Sequence, residues 1–164
     1  HFIHAARRNI EMTALVMNNR IYGMTGGQFS PLSGYGTMGA TAPYGNIDHG
    51  FNTVDLAISA GATFVARSTT YHVRELADLI GQAISHPGFS VLEVLSQCPT
   101  QFGRRNKAGD APEMLDSYRK GTARRGSKKI AENPDLIERG IFVQKELPEY
   151  CREYDRIISK AQEK

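Results

Sequence analysis

Three short apolar segments joined through a helical pattern constrain the fold of this chain most strongly. Residues 13–18, 62–67 and 89–95 are strand-like runs, and residues 72–85 repeat apolar side chains at helical spacing. A continuous apolar run such as residues 13–18 is typical of a strand covered on both faces. Strands connected through helices lie side by side in parallel. The order therefore predicts an α/β fold with a mainly parallel sheet flanked by helices.

A long polar loop follows the first predicted strand, over residues 19–52. Loops of this length inside a compact domain are usually functional, and ligands of open α/β sheets gather beyond the carboxyl ends of strands. The side chain of Asn19 and the backbone of Ile21 offer oxygen ligands of the kind that Mg²⁺ prefers. Gly23 and Gly26 permit close approach of backbone N–H groups to a phosphate. The loop is thus a candidate phosphate and metal site, with a glycine-rich surface turn as the alternative.

The composition is that of a globular protein in a reducing compartment. The 164 residues are 40% hydrophobic and 23% charged. No apolar run approaches the roughly 18–20 residues that span a bilayer, so no membrane segment is expected. Residues 1–8 lack the order of a secretory signal, and without an initiator Met the chain is expected to continue upstream. Two widely spaced cysteines, Cys98 and Cys151, favour a cytoplasmic location over a disulfide framework.

Glu93 interrupts the apolar run of residues 89–95. A carboxylate buried in a strand requires a partner, because desolvation of an unpaired charge costs several kcal/mol or more. We therefore expect a salt bridge at Glu93, with a catalytic role as the alternative.

The polar loop also shows a family resemblance. Asn18-Asn19 followed by Tyr22-Gly23 resembles the end of the thiamine diphosphate motif, which begins with Gly-Asp-Gly. The next five residues resemble the β subunits of 2-oxoacid:ferredoxin oxidoreductases, and two later segments are similar to the same family. These three segments are Met24-Thr25-Gly26-Gly27-Gln28, Gly61-Ala62-Thr63-Phe64-Val65-Ala66-Arg67 and Ser96-Gln97-Cys98-Pro99-Thr100. A further segment, Phe102-Gly103-Arg104-Arg105-Asn106, is similar to the 2-oxoglutarate branch.

The resemblance implies a site for thiamine diphosphate and Mg²⁺. The implied cofactor-binding residues are Asn19, Ile21, Tyr22, Gly23, Met24, Thr25 and Gly26. Asn19 would bind Mg²⁺ through its side chain and Ile21 through its backbone, while Thr25 and Gly26 would hold the diphosphate. The tyrosine and the methionine of this set would lie near the thiazolium ring and the substrate. The Gly-Asp-Gly half would precede His1, and the activating Glu belongs to another subunit or domain, so no general base is assigned.

The resemblance also assigns a role to Cys98, as the last ligand of a [4Fe–4S] cluster whose other ligands would precede His1. A cluster of this kind usually takes four cysteines, and this sequence has two. The alternative for Cys98 is an inert buried residue. Cys151 is expected to be structural.

The implied activity is oxidative decarboxylation of a 2-oxoacid, 2-oxoglutarate in the first place, to an acyl-CoA and CO₂. Electrons would pass through iron–sulfur clusters to ferredoxin, and the isolated chain is expected to be inactive. The implied partners are the α subunit, further subunits, ferredoxin, coenzyme A and the 2-oxoacid substrate. The cofactor-binding core is assigned to residues 1–106 and a C-terminal extension to residues 107–164. The alternatives are a thiamine diphosphate enzyme without clusters and a non-catalytic interaction fragment.

A basic segment, residues 119–129, holds six of the lysines and arginines of the extension. It would fit the phosphates of coenzyme A, an acidic ferredoxin or another subunit, and a solvated segment is the alternative. Nucleic-acid binding is not expected, because the net charge is only +3 and the segment contains no aromatic residue.

Overall fold

The computed structural model describes residues 1–163 as five strands and seven α-helices. The strands are β1 (Met12–Asn18), β2 (Phe64–Thr69), β3 (Phe89–Leu95), β4 (Thr122–Arg124) and β5 (Ile137–Gln144). The helices are α1 (Phe2–Arg8), α2 (Thr53–Ser59), α3 (Val73–Ser85), α4 (Arg104–Asn106), α5 (Ala111–Gly121), α6 (Lys128–Glu132) and α7 (Tyr150–Gln162). A π-helical turn, Pro99–Gly103, precedes α4.

The five strands form a single sheet in the order β1-β3-β2-β5-β4. The β1–β3, β2–β3 and β4–β5 pairs are parallel, and the β2–β5 pair is antiparallel. This confirms the predicted α/β fold with a mainly parallel sheet. All seven residues of the central strand β3 are buried, in agreement with its apolar sequence.

Helices cover the sheet on both faces. Helices α1 and α2 pack on one face, where Ala6 and Val54 meet Val65 and Val91. Helix α3 packs on the other face, where Leu79 and Ala83 contact side chains of β2 and β3. The short alanine side chains let the helices approach the sheet closely. This three-layer arrangement leaves the carboxyl edge of the parallel strands free for the loops that follow them.

Helix α2 has a polar cap at its start and a glycine after its end. The side chain of Asn52 accepts a hydrogen bond from the Val54 N–H at 3.2 Å and caps the first turn. Gly61 follows the helix with φ of 96°, a left-handed conformation that costs other residues more. Asn52 and Gly61 thus mark the two ends of α2.

Strand β1 differs from its prediction. We expected both faces to be covered, but β1 lies at the edge of the sheet, and its side chains Leu15 and Met17 are 46% and 60% exposed. The physical reason is that α3 packs mainly over β2 and β3. It is joined to β1 near the start of that strand, where the Thr13 hydroxyl donates to the Ala83 carbonyl at 3.0 Å. The prediction of a strand covered on both faces is wrong for this chain.

The C-terminal part contributes to the same sheet. Strand β5 pairs with β2, and it extends beyond the apolar residues 141–143 on both sides. Residues 97–129 contain the π-helical turn and β4 in addition to α4 and α5. The division at residue 106 stays a prediction. No helix within residues 1–163 has the length and apolar character needed to cross a membrane.

Candidate cofactor-binding site

A cleft lies at the carboxyl edge of the sheet, where the predicted ligand loop leaves β1. Because β1, β3 and β2 are parallel and in register, their last residues Asn18, Leu95 and Thr69 lie at the same edge. The cleft has a volume of about 270 Å³ and is lined by residues 17–22 and 30–32. Its position agrees with the general rule that ligands of α/β sheets bind beyond the strand ends.

Two asparagine side chains shape the turn into the cleft. The Asn18 carbonyl oxygen accepts from the Arg20 N–H at 3.0 Å, and the Asn19 carbonyl oxygen accepts from the Ile21 N–H at 3.4 Å. Arg20 has a φ of 61°, which is uncommon for a residue with a side chain. Such asparagine turns offset the cost of a left-handed residue through local hydrogen bonds.

Asn19 and Ile21 can offer two oxygen atoms to a cation. The Ile21 side chain is only 4% exposed, so burial anchors the backbone at this point. Within residues 1–163 no hydrogen bond is donated to the Ile21 carbonyl. The same residues contain no group of three or more His, Cys, Asp or Glu side chains that could hold a metal alone. The donor set fits a Mg²⁺ ion that also takes oxygen ligands from a phosphate and from outside this loop.

The glycine-rich part of the loop forms a compact turn beside the cleft. The Tyr22 N–H donates to the Gln28 carbonyl at 2.9 Å, and the Gly27 N–H donates to the Tyr22 carbonyl at 2.9 Å. Gly26 and Gly27 adopt φ of 114° and 90°, so this turn requires glycine at both positions. A Cβ at Gly27 would also lie 2.6 Å from Oε1 of Gln101.

The structure divides the predicted site residues into two groups. Asn19, Ile21 and Tyr22 line the cleft. Met24, Thr25 and Gly26 lie outside the cleft in the exposed turn, and the Met24 side chain is fully exposed. Gly23, the seventh predicted residue, connects the two groups and is half-buried.

Cys98 lies against this loop although it follows a different strand. A Cβ at Gly23 would lie 3.0 Å from Cys98 Sγ and 3.7 Å from Nδ2 of Asn19. Cys98 is 8% exposed. Cys151, for which a structural role was expected, is exposed on α7. The structure therefore brings Cys98 and the predicted cofactor loop together.

The environment of Cys98 favours its thiolate. Burial by itself raises the pKa of the Cys98 thiol, but hydrogen bonds from the backbone N–H groups of Phe102, Gln101 and Thr100 outweigh it. The Thr100 hydroxyl, 3.8 Å from the sulfur, acts in the same direction, and the net result is a pKa below the usual value. Because the thiolate is the form that binds metals, this environment fits a metal or cluster ligand.

Glu93, for which the sequence predicted a partner, belongs to a polar network behind the loop. Glu93 is 2% exposed and forms a salt bridge with Arg67 through Nε and Oε2 at 2.6 Å, which confirms that expectation. Its other carboxylate oxygen accepts from Asn18 Nδ2 at 2.7 Å. The sequence did not indicate Asn18 as a partner. The strand register identifies both partners of Glu93. Arg67 on β2 lies opposite Glu93, and Asn18 lies two residues beyond the β1 residue that faces Glu93.

The basic segment of residues 119–129 is partly neutralised within the chain. Arg119 and Lys120 both pair with Asp116 at 2.6 Å, and their hydrogen bonds lower the pKa of Asp116 to about 2. Arg124 lies 3.5 Å from Glu75, which also pairs with Arg139. These ion pairs weaken the case for an anion site there.

Large apolar side chains project from the loop region into solvent. They are Tyr22, Met24, Tyr35, Tyr44, Ile47 and Phe51, and each is more than half exposed. We call this set the apolar loop patch. Exposed apolar groups concentrated in one segment mark contact surfaces for other proteins or ligands.

Comparison with known proteins identifies the family. Residues 1–94 match the family of thiamine pyrophosphate enzymes, in its C-terminal TPP binding domain. The chain belongs to this family. The matched residues include the whole predicted cofactor loop and end before Cys98.

Curated relatives narrow the family further. The chain is 43% identical over its whole length to the 2-oxoglutarate synthase subunit KorB of Methanothermobacter thermautotrophicus. It is 42% identical over 98% of its length to the same subunit of Methanocaldococcus jannaschii. It spans 57% and 60% of the length of these two relatives. The relatives confirm the predicted resemblance to the β subunits of 2-oxoacid:ferredoxin oxidoreductases.

A solved structure confirms the fold of this thiamine pyrophosphate enzyme chain. It is the 2-oxoglutarate:ferredoxin oxidoreductase of Magnetococcus marinus with 2-oxoglutarate, coenzyme A and succinyl-CoA bound. The match covers 99% of this chain and 57% of that chain, with a TM-score of 0.84 and 27% sequence identity.

Proposed function

We propose that this chain is the cofactor-binding part of a β subunit that oxidatively decarboxylates 2-oxoglutarate to its acyl-CoA and CO₂ and delivers the electrons to ferredoxin. The observation that supports this most is the joint position of the cleft, the Asn19–Ile21 turn and Cys98 at one sheet edge. The names of the KorB relatives and the ligands of the Magnetococcus structure support 2-oxoglutarate and coenzyme A as substrates. The identity of the 2-oxoacid is part of the proposal.

The cofactor in this proposal is thiamine diphosphate with Mg²⁺. Asn19 and the backbone of Ile21 would hold Mg²⁺, and Thr25 and Gly26 would hold the diphosphate. Tyr22 and Met24 would lie near the thiazolium ring and the substrate, and Gly23 would be part of the same cofactor-binding loop. When bound, thiamine diphosphate supplies the nucleophilic carbon and the electron sink needed to remove CO₂ from a 2-oxoacid. Two oxygen ligands are fewer than Mg²⁺ takes, so the diphosphate, water and another protein segment would have to supply the other ligands.

Cys98 is proposed as one ligand of a [4Fe–4S] cluster. Its lowered pKa and its position against Gly23 support a cluster close to the cofactor. A cluster of this type takes four thiolates, and the other cysteine of residues 1–163, Cys151, is exposed on α7. The remaining ligands are therefore proposed to come from other protein segments.

The partners proposed are an α subunit and further subunits of the same enzyme, with ferredoxin as electron acceptor. The apolar loop patch supports a subunit contact, because it includes Tyr22, which lines the cleft, and Met24, the fully exposed residue of the cofactor loop. Such a contact would exclude water from the reacting groups. The two free cysteines support a reducing, cytoplasmic location.

The test is an assay on the enzyme assembled anaerobically with its partner subunits. We expect ferredoxin reduction that requires 2-oxoglutarate, coenzyme A and thiamine diphosphate, and that is slower with pyruvate. Decarboxylation by an iron-free, colourless enzyme would instead identify a thiamine diphosphate enzyme without clusters. An assembly that binds no thiamine diphosphate would identify a non-catalytic interaction fragment.

A further inference from the structure

A buried carboxylate joins the three parallel strands at the cofactor edge. Glu93 on β3 is 2% exposed, and both of its oxygens have a partner. Oε1 accepts from Asn18 Nδ2 on β1 at 2.7 Å, and Oε2 accepts from Arg67 Nε on β2 at 2.6 Å. The proposed chemistry does not use Glu93. A charge in the middle of a buried strand is costly, so its presence requires another reason.

The two partners of Asn18 fix the orientation of its amide. An ionised carboxylate only accepts hydrogen bonds, and a backbone N–H only donates. Asn18 must therefore turn its NH₂ group toward Glu93 and its oxygen toward the Arg20 N–H, 3.0 Å away. The opposite orientation would set the Asn18 oxygen against the carboxylate and its NH₂ group against a second donor. Glu93 thus selects the orientation of Asn18 that supports the turn at Arg20.

The turn at Arg20 sets the direction of the two proposed metal ligands. Arg20 is left-handed with φ of 61°, and its carbonyl accepts a hydrogen bond from the Ser33 hydroxyl at 2.6 Å. Asn19 and Ile21 flank this residue directly and both line the cleft. Loss of the Asn18 hydrogen bond would free Arg20 to adopt a right-handed conformation, which would redirect both neighbours.

Arg67 holds the carboxylate in place. Its side chain is 13% exposed, it donates through Nη2 to Oδ1 of Asn52 at 2.9 Å, and it lies over the Phe142 ring at 5.4 Å. Asn52 in turn caps α2 through the Val54 N–H. Glu93 is therefore fixed by the sheet and by α2, so it can hold Asn18 in a fixed position at the start of the loop.

We propose that Glu93 is a positioning residue for the cofactor loop: through Asn18 it sets the turn that presents the oxygens of Asn19 and Ile21 to the metal. This inference rests on the proposed function, because the metal site belongs to it. Groups that orient metal ligands typically change metal affinity about 10- to 100-fold when they are replaced. A Gln at position 93 keeps the size of the side chain but replaces one acceptor oxygen with an NH₂ donor. That NH₂ group would face a donor on Asn18 or on Arg67.

The test measures Mn²⁺ binding by electron paramagnetic resonance in the assembled enzyme with thiamine diphosphate. Mn²⁺ replaces Mg²⁺ as the probe. We expect Glu93→Gln to weaken Mn²⁺ binding about 10- to 100-fold. Hydrogen exchange in the metal-free enzyme is a second readout, and it should become faster at the Arg20 and Ile21 amides.

Two further variants keep the test decisive. Asn18→Ala removes only the link to the loop and leaves the Glu93–Arg67 pair intact, so it should weaken Mn²⁺ binding to a similar extent. Glu149→Gln is the matched control, because Glu149 is a 3% exposed carboxylate that caps α7 through the Cys151 and Arg152 N–H groups. It should lower the melting temperature without changing Mn²⁺ affinity.

The outcomes separate this inference from the proposed function. Unchanged Mn²⁺ affinity and exchange in both Glu93→Gln and Asn18→Ala would overturn the positioning role while the cofactor site stands. A wild-type enzyme that binds no Mn²⁺ in the presence of thiamine diphosphate would overturn both.

Discussion

Gly23 leaves room for the sulfur of Cys98: a Cβ at position 23 would stand 3.0 Å from Cys98 Sγ. The two residues belong to segments that leave different strands, β1 and β3, and they meet because these strands are parallel neighbours. The proposed cofactor loop and the proposed cluster ligand thus pack directly against each other.

The variant Gly23→Ala should disturb both proposed sites. A methyl group at this distance must displace the sulfur or the loop, and overpacking of this kind typically costs about 1–3 kcal/mol. We expect less iron per chain and a higher concentration of thiamine diphosphate for half-maximal activity. Gly81→Ala is the control, because no atom lies within 4 Å of a Cβ there, and alanine in helix α3 should stabilise the chain by about 0.5–1 kcal/mol. Normal iron content and cofactor affinity in Gly23→Ala would show that the contact has no functional weight.

The variant Cys98→Ser in the assembled enzyme should lose iron and ferredoxin reduction. Release of CO₂ in a single turnover without an acceptor should continue, because bond cleavage requires the cofactor and not the cluster. A serine hydroxyl can replace a thiolate weakly, so the loss of iron is expected to be partial. The measurement is iron per chain and single-turnover CO₂ on one anaerobic preparation. Iron and ferredoxin reduction equal to the wild type would make Cys98 an inert buried residue.

The pKa values of the two thiols should depart from the usual thiol value in opposite directions, downward for Cys98 and upward for Cys151. Burial raises the pKa of Cys98, but backbone hydrogen bonds lower it below the usual value overall. The neighbouring charge of Glu149, followed by desolvation, raises the pKa of Cys151. Alkylation of the metal-free protein over a pH series should therefore show a lower pH midpoint for Cys98 than for Cys151. Equal midpoints would contradict the proposed thiolate environment.

The same pKa shift predicts a pH dependence of stability. The folded pKa of Cys98 lies below its unfolded value, so the thiolate contributes stability that is fully present above the unfolded pKa. This stability is lost as the pH falls through the folded pKa. The melting temperature of the metal-free wild type minus that of Cys98→Ser should therefore increase as the pH rises toward the usual pKa of a thiol. A constant difference across this range would contradict the sign of the shift.

Asn9 should be a strong determinant of stability. It ends α1 in a left-handed conformation, and its side-chain oxygen accepts from the Thr63 hydroxyl and the Phe89 N–H, both at 2.9 Å. Its Nδ2 donates to the carbonyls of Leu147 and Pro148 at 3.2 and 3.0 Å. Asn9→Ala leaves buried groups unpaired and adds backbone strain, so we expect a loss of about 3–4 kcal/mol.

Two variants separate the parts of the Asn9 effect in thermal unfolding. Asn9→Gly removes the same hydrogen bonds but tolerates the left-handed backbone, so it should destabilise less than Asn9→Ala by about 1 kcal/mol. Asn133→Ala, at an exposed position, should change stability by no more than about 0.5 kcal/mol. A loss in Asn9→Ala as small as that of Asn133→Ala would show that the Asn9 contacts contribute little.

The sequence predicted the strands β2 and β3 and the position of the polar loop after β1 well, because their signals are local. Strand β3 coincides with the apolar run of residues 89–95. The sequence also indicated that Glu93 needs a partner. It could not indicate Arg67 and Asn18 together, because that choice depends on the strand order β1-β3-β2.

Other features were not predictable because they depend on neighbours distant in sequence. The open face of β1 at Leu15 and Met17 follows from where α3 lies, and periodicity does not encode that placement. The contact between Gly23 and Cys98 depends likewise on the pairing of β1 and β3. The ends of β5 depend on its pairing with β2 and β4, since all but one of its residues are only half-buried.

The most direct test of the account is the cofactor requirement of Asn19→Ala in the assembled enzyme. The Asn19 side chain lines the cleft and supplies one of the two proposed oxygen ligands, so its loss should weaken metal and cofactor binding without unfolding the loop. The measurement is the concentration of thiamine diphosphate, at fixed Mg²⁺, that gives half-maximal ferredoxin reduction, together with the melting temperature of the cofactor-free enzyme. We expect the concentration to rise about tenfold or more while the melting temperature stays within a few degrees of the wild type. An unchanged cofactor requirement would remove Asn19 from the site and contradict the account.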